Sequence, residues 1–151
     1  MPDLIARLAA LNADYARSID DDRLEEWPGF FLERCLYKIT TADNHAKGYE
    51  AGLIYADSRA MLQDRVSALR EANVYERQRY RHLVGLPVLR DGGAVETPFL
   101  VVRIMRDGKM DLFATGRYLD RVSDQNGNLK FAERVVVCDS SRFDTLLAIP
   151  L

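Results

Sequence analysis

His45, His82, Cys35 and Cys138 are the residues best suited to hold a metal, and each type occurs only twice. An iron–sulfur cluster held by two cysteines and two histidines would use all four. Such a cluster wants a histidine shortly after each cysteine. Here Tyr37 and Lys38 follow Cys35, and Ser140 and Ser141 follow Cys138, so the spacing does not fit. A mononuclear iron site needs two histidines and a carboxylate. His45, His82 and Asp43 supply those types, but only if a loop and a distant strand meet. Hosting both sites together would need more histidines than the chain has.

His82 lies in the run Arg77-Gln78-Arg79-Tyr80-Arg81-His82-Leu83-Val84. On a strand, Gln78, Tyr80, His82 and Val84 share one face, and Arg77, Arg79 and Arg81 share the other. His82 has two readings. It is a general base beside Tyr37 or an aspartate, or a hydrogen-bonded core or interface histidine, and the second is the expectation. Three guanidiniums in a row are costly to bury without partners. Solvation is the usual fate of such a row. Arginine also pairs bidentately with carboxylates and is favoured at interfaces. Trp27, near Phe30 and Phe31, is expected in the core, or as an interface anchor if exposed. The candidate interface set is therefore Trp27, Arg77, Arg79, Arg81 and His82, with no catalytic, cofactor-binding or metal-binding residue assigned.

Composition narrows the classes further. The 151 residues suit one domain with one core, and 48% hydrophobic with 29% charged residues is ordinary for a globular chain. A net charge of −2 argues against nucleic acid as a partner. No apolar run approaches the roughly 20 residues that span a bilayer, and the N-terminus lacks the basic start of a signal peptide. A cytoplasmic protein without membrane contact is expected. The two cysteines are expected as free, buried thiols. Phosphate-binding glycine loops, H-E-x-x-H and G-x-S-x-G are all absent.

The elements that must position these residues follow from periodicity. Leu4, Leu8, Leu11, Tyr15 and Ile19 form one stripe and predict a helix over 4–19, capped by Asp3. A short helix through Arg23–Trp27 should end at Pro28-Gly29. Cys35–Thr40 reads as a strand, 43–48 as a loop, and Leu53–Ala56 as a short strand. Asp57 or Ser58 should cap a helix running to Glu71, with Asn73 as its stop. Four strand-like runs follow: Arg77–Leu89, Thr97–Arg106, Met110–Arg121 and Leu129–Asp139. Asp91-Gly92-Gly93, Asp107-Gly108 and Asn126-Gly127 separate them and predict hairpins. Gly116 inside a strand predicts a bulge or bend. The result is an α+β fold, a curved antiparallel sheet with helices packed on its concave face.

Several stretches carry a resemblance. Tyr55-Ala56-Asp57-Ser58-Arg59, Asp64-Arg65-Val66-Ser67-Ala68-Leu69-Arg70 and Tyr80-Arg81-His82-Leu83-Val84 resemble the central signature of β subunits of aromatic-ring-hydroxylating dioxygenases. Asn12–Ala16, Glu26-Trp27-Pro28, Asp43-Asn44-His45, Arg70–Arg77 and Val137–Ser141 extend the resemblance over nearly the whole chain. It implies the cone-shaped fold shared with nuclear transport factor 2 and scytalone dehydratase, over a single domain of residues 1–151. It also implies a non-catalytic structural subunit in an α3β3 hexamer with a β trimer. The [2Fe–2S] Rieske cluster and mononuclear Fe(II) would sit in the partner α subunit, which a reductase feeds with NAD(P)H electrons for cis-dihydroxylation. Two other classes stay open: a stand-alone isomerase or dehydratase using His82, and a small-molecule binding module. An open cavity holding His82 beside a carboxylate would favour the enzyme. A cone packed with side chains would deny it.

Overall fold

The computed structural model describes residues 3–49, 52–72, 78–141 and 149–151. Helix α1 spans Leu4–Asp20, and Asp3 Oδ1 accepts from the Ala6 amide at 2.7 Å to cap it. A 3-10 helix, Leu24–Phe30, follows; it runs through Pro28 instead of stopping there. Strand β1 is Phe31–Thr41. The expected loop after it is a one-turn helix, α2 (Ala42–Ala46), capped by Thr41 Oγ1 on the Asn44 amide. A helix of five residues shows no period, so composition alone reads as loop. Strand β2 (Ile54–Ser58) leads into α3 (Arg59–Glu71), and Ser58 is its cap. The expected stop at Asn73 lies outside the described residues.

The second half is a meander. Strand β3 is Gln78–Val84 and the two-residue β4 is Val88–Leu89, where a single run to Leu89 was expected. Gly85 and Pro87 break it: Gly85 abuts Pro98, and proline has no N–H for a ladder. Strands β5 (Val95–Met105), β6 (Met110–Gln125) and β7 (Asn128–Cys138) complete the sheet. Its order is β2-β1-β7-β6-β5-β3, with β4 on β5. The hairpin from β6 to β7 turns on Asn126 and Gly127, both at positive φ, as the Asn-Gly pair predicts.

All neighbours pair antiparallel except β1 and β7, which run parallel. Ladder shifts interrupt the pairing of β1 with both its neighbours, and two more curve the meander. On β6, Phe113 is the extra residue between the Val101–Ala114 and Val102–Leu112 pairs; on β7, Ala132 lies between Glu133 and Phe131. Gly116 itself sits in regular register. It is glycine because a Cβ there would collide with the Val137 carbonyl oxygen.

Helix α1 lies across the inner face. Its Tyr15 meets the rings of Tyr118 and Phe131 edge-on at 6.1 and 5.7 Å. Trp27 packs against Phe31 and Tyr37 at 5.9 and 5.1 Å. The cone is thus filled with aromatic side chains, each such pair adding about 1 kcal/mol beyond burial. Among the described residues, no helix is long and apolar enough to cross a membrane.

Candidate functional site

Two hydrogen-bonded pairs of ionisable side chains lie sealed inside this apolar cone. Asp20, the last residue of α1, accepts from the His82 amide at 2.8 Å and meets His82 Nδ1 at 2.6 Å. The side chains are 2% and 0% exposed. The carboxylate beside Nδ1 places the proton on that nitrogen in the neutral ring. Nε2, the atom a general base would use, is buried and, among the described residues, without a hydrogen-bond partner. The pattern that turns Tyr80 and His82 inward on β3 is the two-residue period of the strand.

The second pair is Arg134 with Asp120, cross-strand partners on β7 and β6. Arg134 donates from Nε and Nη2 to the two Asp120 oxygens, both at 2.8 Å, and from Nη2 to Asn12 Oδ1 at 2.5 Å. Its guanidinium carbon lies 3.8, 4.0 and 4.4 Å from the ring centroids of Tyr118, Phe131 and Tyr15. Three rings and a carboxylate thus offset the burial of this cation. Burial raises the Asp120 carboxyl above its ordinary range despite the pull of Arg134. Burial likewise raises the Tyr15, Tyr37 and Tyr118 hydroxyls, so they remain protonated. Tyr15 and Tyr37 both donate to the Leu151 carbonyl oxygen, at 2.8 and 2.9 Å, and fasten Leu151 into the core.

The residues singled out from sequence fall in different places. Trp27 is fully buried against Phe31 and Tyr37, which meets the core expectation; it offers no surface to a partner, so the alternative role as an interface anchor is corrected. The ring of His82 is turned into the cone and hydrogen-bonded to Asp20, which meets the core reading; its alternative place at an interface is corrected. Arg77 lies outside the described residues. Arg79 and Arg81 are exposed on the outer face of β3. The sheet order sets β1, whose end carries α2 with Asp43 and His45, apart from β3 by three intervening strands. His45 and His82 are therefore not brought together, and the facial triad is not assembled. Among the described residues, no group of three or more His, Cys, Asp or Glu is placed to hold a metal ion. Cys35 and Cys138 are free, buried thiols. Arg134, the most deeply buried cation among the described residues, was not singled out; its signal was an arginine at an inward position of an apolar strand, Val135-Val136-Val137-Cys138.

A cleft of about 890 Å³ opens beside the C-terminal end of α1. Asp20, Asp22, Arg70, Arg79, Tyr80 and Arg106 are among its lining residues; His82 is not. The histidine–carboxylate pair thus exists, but its ring does not border this space.

Residues 15–145 match the family model described as "Ring hydroxylating beta subunit". The chain belongs to the ring-hydroxylating β-subunit family. Its similarity to the terephthalate 1,2-dioxygenase terminal oxygenase component subunit beta 1 of Comamonas sp. is 52% identity, covering 96% of this chain and 97% of that one. The anthranilate 1,2-dioxygenase small subunit of Burkholderia cepacia is 38% identical over 91% of this chain and 88% of its own length. Among solved structures, a β subunit assigned to an aromatic-ring-hydroxylating dioxygenase of Novosphingobium aromaticivorans superposes with a TM-score of 0.88. It is 36% identical and covers 97% of this chain and 96% of its own. The β subunit described here therefore has the curved α+β fold its sequence resemblance implied.

Proposed function

We propose that this β subunit is the non-catalytic structural partner in a terephthalate 1,2-dioxygenase-type terminal oxygenase. The observation that carries this is 52% identity across nearly the full length of both chains, against 38% for the anthranilate relative. In this reading the whole chain acts as one domain in the cytoplasm, within an α3β3 hexamer. The large subunit carries the Rieske cluster and the mononuclear iron, and a reductase delivers NAD(P)H electrons to it. Dioxygen activation and cis-dihydroxylation belong to that subunit. This chain's contribution is to hold neighbouring large subunits at a working separation, which is positioning rather than chemistry. The packed cone supports the structural role over the isomerase or dehydratase reading. Such an enzyme needs a base that meets substrate, and His82 is sealed.

Co-expression with a large subunit of the terephthalate dioxygenase type tests this. Size-exclusion chromatography should give a mixed hexamer, with iron in the complex and none in this chain alone. The complex with its reductase should turn over terephthalate. A chain that ignores the large subunit, or a complex that prefers another aromatic acid, would overturn the corresponding part.

A further inference from the structure

Leu151 sits in the cone as a bound peptide would. It lies in no helix or strand, yet it is fully buried. Its carbonyl oxygen accepts from the Tyr15 and Tyr37 hydroxyls at 2.8 and 2.9 Å, and its amide donates to the Tyr37 oxygen at 3.1 Å. The two phenols come from α1 and β1, far from Leu151 in the chain. A leucine that only fills a core needs its side chain buried and nothing more. Here two side chains also read the backbone, and Tyr37 does so as donor and acceptor at once.

This position lies next to open space. Ile149 lines the cleft beside the end of α1. Pro150 is buried, and Leu151 belongs to the central apolar cluster. The segment 149–151 thus passes from the cleft wall into the cone within three residues. Ile19 and Leu24 line the cleft and belong to the same cluster, so cleft and core share a wall.

The hydroxyls specify what could take the place of Leu151. Two buried O–H groups without an acceptor are costly, and a hydrocarbon supplies none. A carboxylate supplies acceptors but no donor for the Tyr37 oxygen, and its charge is expensive to bury among aromatic rings. A primary amide on a short apolar body supplies one carbonyl oxygen and one N–H donor, as the Leu151 backbone does.

We propose that Tyr15 and Tyr37 form a binding site for a small apolar amide, which the chain fills with its own Leu151 and which joins the cleft when segment 149–151 withdraws. The site belongs to this chain alone and needs no large subunit.

Leu151→Asp in the full chain tests this, because the apolar cluster does not accommodate a carboxylate and the segment must leave. Isocaproamide should bind the variant and raise its Tm. Binding should also change the fluorescence of Trp27, the sole tryptophan, whose ring centroid is 5.1 Å from that of Tyr37. The native chain, with its site filled, should respond only at much higher concentration. Isocaproate should bind the variant about 10-fold more weakly than the amide. Adding Tyr37→Phe should weaken the amide by about 10-fold as well. Leu151→Ser carries the same comparisons if Leu151→Asp does not fold. Equal affinity for isocaproamide, isocaproate and isohexane would show an unspecific apolar hole and overturn the proposal. So would the absence of amide binding to both variants, or an affinity that Tyr37→Phe leaves unchanged.

Discussion

Asp20 grips His82 twice, through the main-chain nitrogen at 2.8 Å and ring Nδ1 at 2.6 Å. This single carboxylate ties the end of α1 to the edge strand β3, so that the helix closes the concave side. Asp20→Ala would leave a buried amide and a buried imidazole nitrogen without an acceptor. The expected cost is about 3 kcal/mol, read as a lower urea midpoint with an unchanged slope. Asp20→Asn keeps one acceptor oxygen and should cost less. Equal midpoints for the native and Ala proteins would show that the clamp contributes nothing.

Removing Arg134 strands Asp120 as a lone buried carboxylate. Arg134→Met is expected to cost about 4 kcal/mol. Adding Asp120→Leu should recover part of this, because the two residues act as one unit. A double-mutant cycle by chemical denaturation gives the coupling; strict additivity would refute it.

The same pair sets a pH dependence. Burial raises the folded-state pKa of Asp120. A carboxyl whose pKa is higher folded than unfolded takes up its proton first in the folded state. It lowers stability above its folded pKa, and that loss disappears as pH falls from the folded toward the unfolded value. Without Arg134 the rise is larger and the window wider. The deficit of Arg134→Met relative to the native protein should therefore be greatest near neutral pH and shrink on acidification. Thermal unfolding across mildly acidic pH checks this, and a deficit that grows with acid would contradict it.

Gly116→Ala places a methyl group on the Val137 carbonyl oxygen within a paired ladder. Neither strand can retreat without breaking its other pairings, so about 2 kcal/mol or more should be lost. A fall in Tm measured by calorimetry is the expected result. An unchanged Tm would mean that the β6–β7 ladder yields freely.

Both thiols should be inert in the folded chain. Burial pushes Cys138 up to about 12 and also raises Cys35, and the thiolate is the reactive form. Labelling with a disulfide reagent should proceed only at the rate of unfolding. Rapid modification of one thiol at neutral pH would place that cysteine at an open surface.

Local pattern was legible because it depends on near neighbours. The helical stripe from Leu4 to Ile19, the Ser58 cap and the Asn126-Gly127 hairpin all stand where their spacing puts them. The inward turn of His82 followed from the alternation of β3. The one-turn helix at Ala42–Ala46 and the break at Gly85–Pro87 were not legible, since each is too short to show a period.

The candidate site divides along the same line. The sequence by itself determined the number of metal-ligating side chains, the alternation of the meander and the arginine row on β3. Its residue-by-residue resemblance to ring-hydroxylating β subunits determined the family. Only the tertiary structure decided that β1 joins β7 in parallel, that Trp27 is core, and that Asp20 meets His82 across 62 positions. It also decided that Arg134 is sealed while Arg79 and Arg81 stay outside. The physical reason is that burial and pairing are properties of the closed sheet. A carboxylate finds its cation only once strands distant in the chain lie side by side, and no local spacing encodes which ones will.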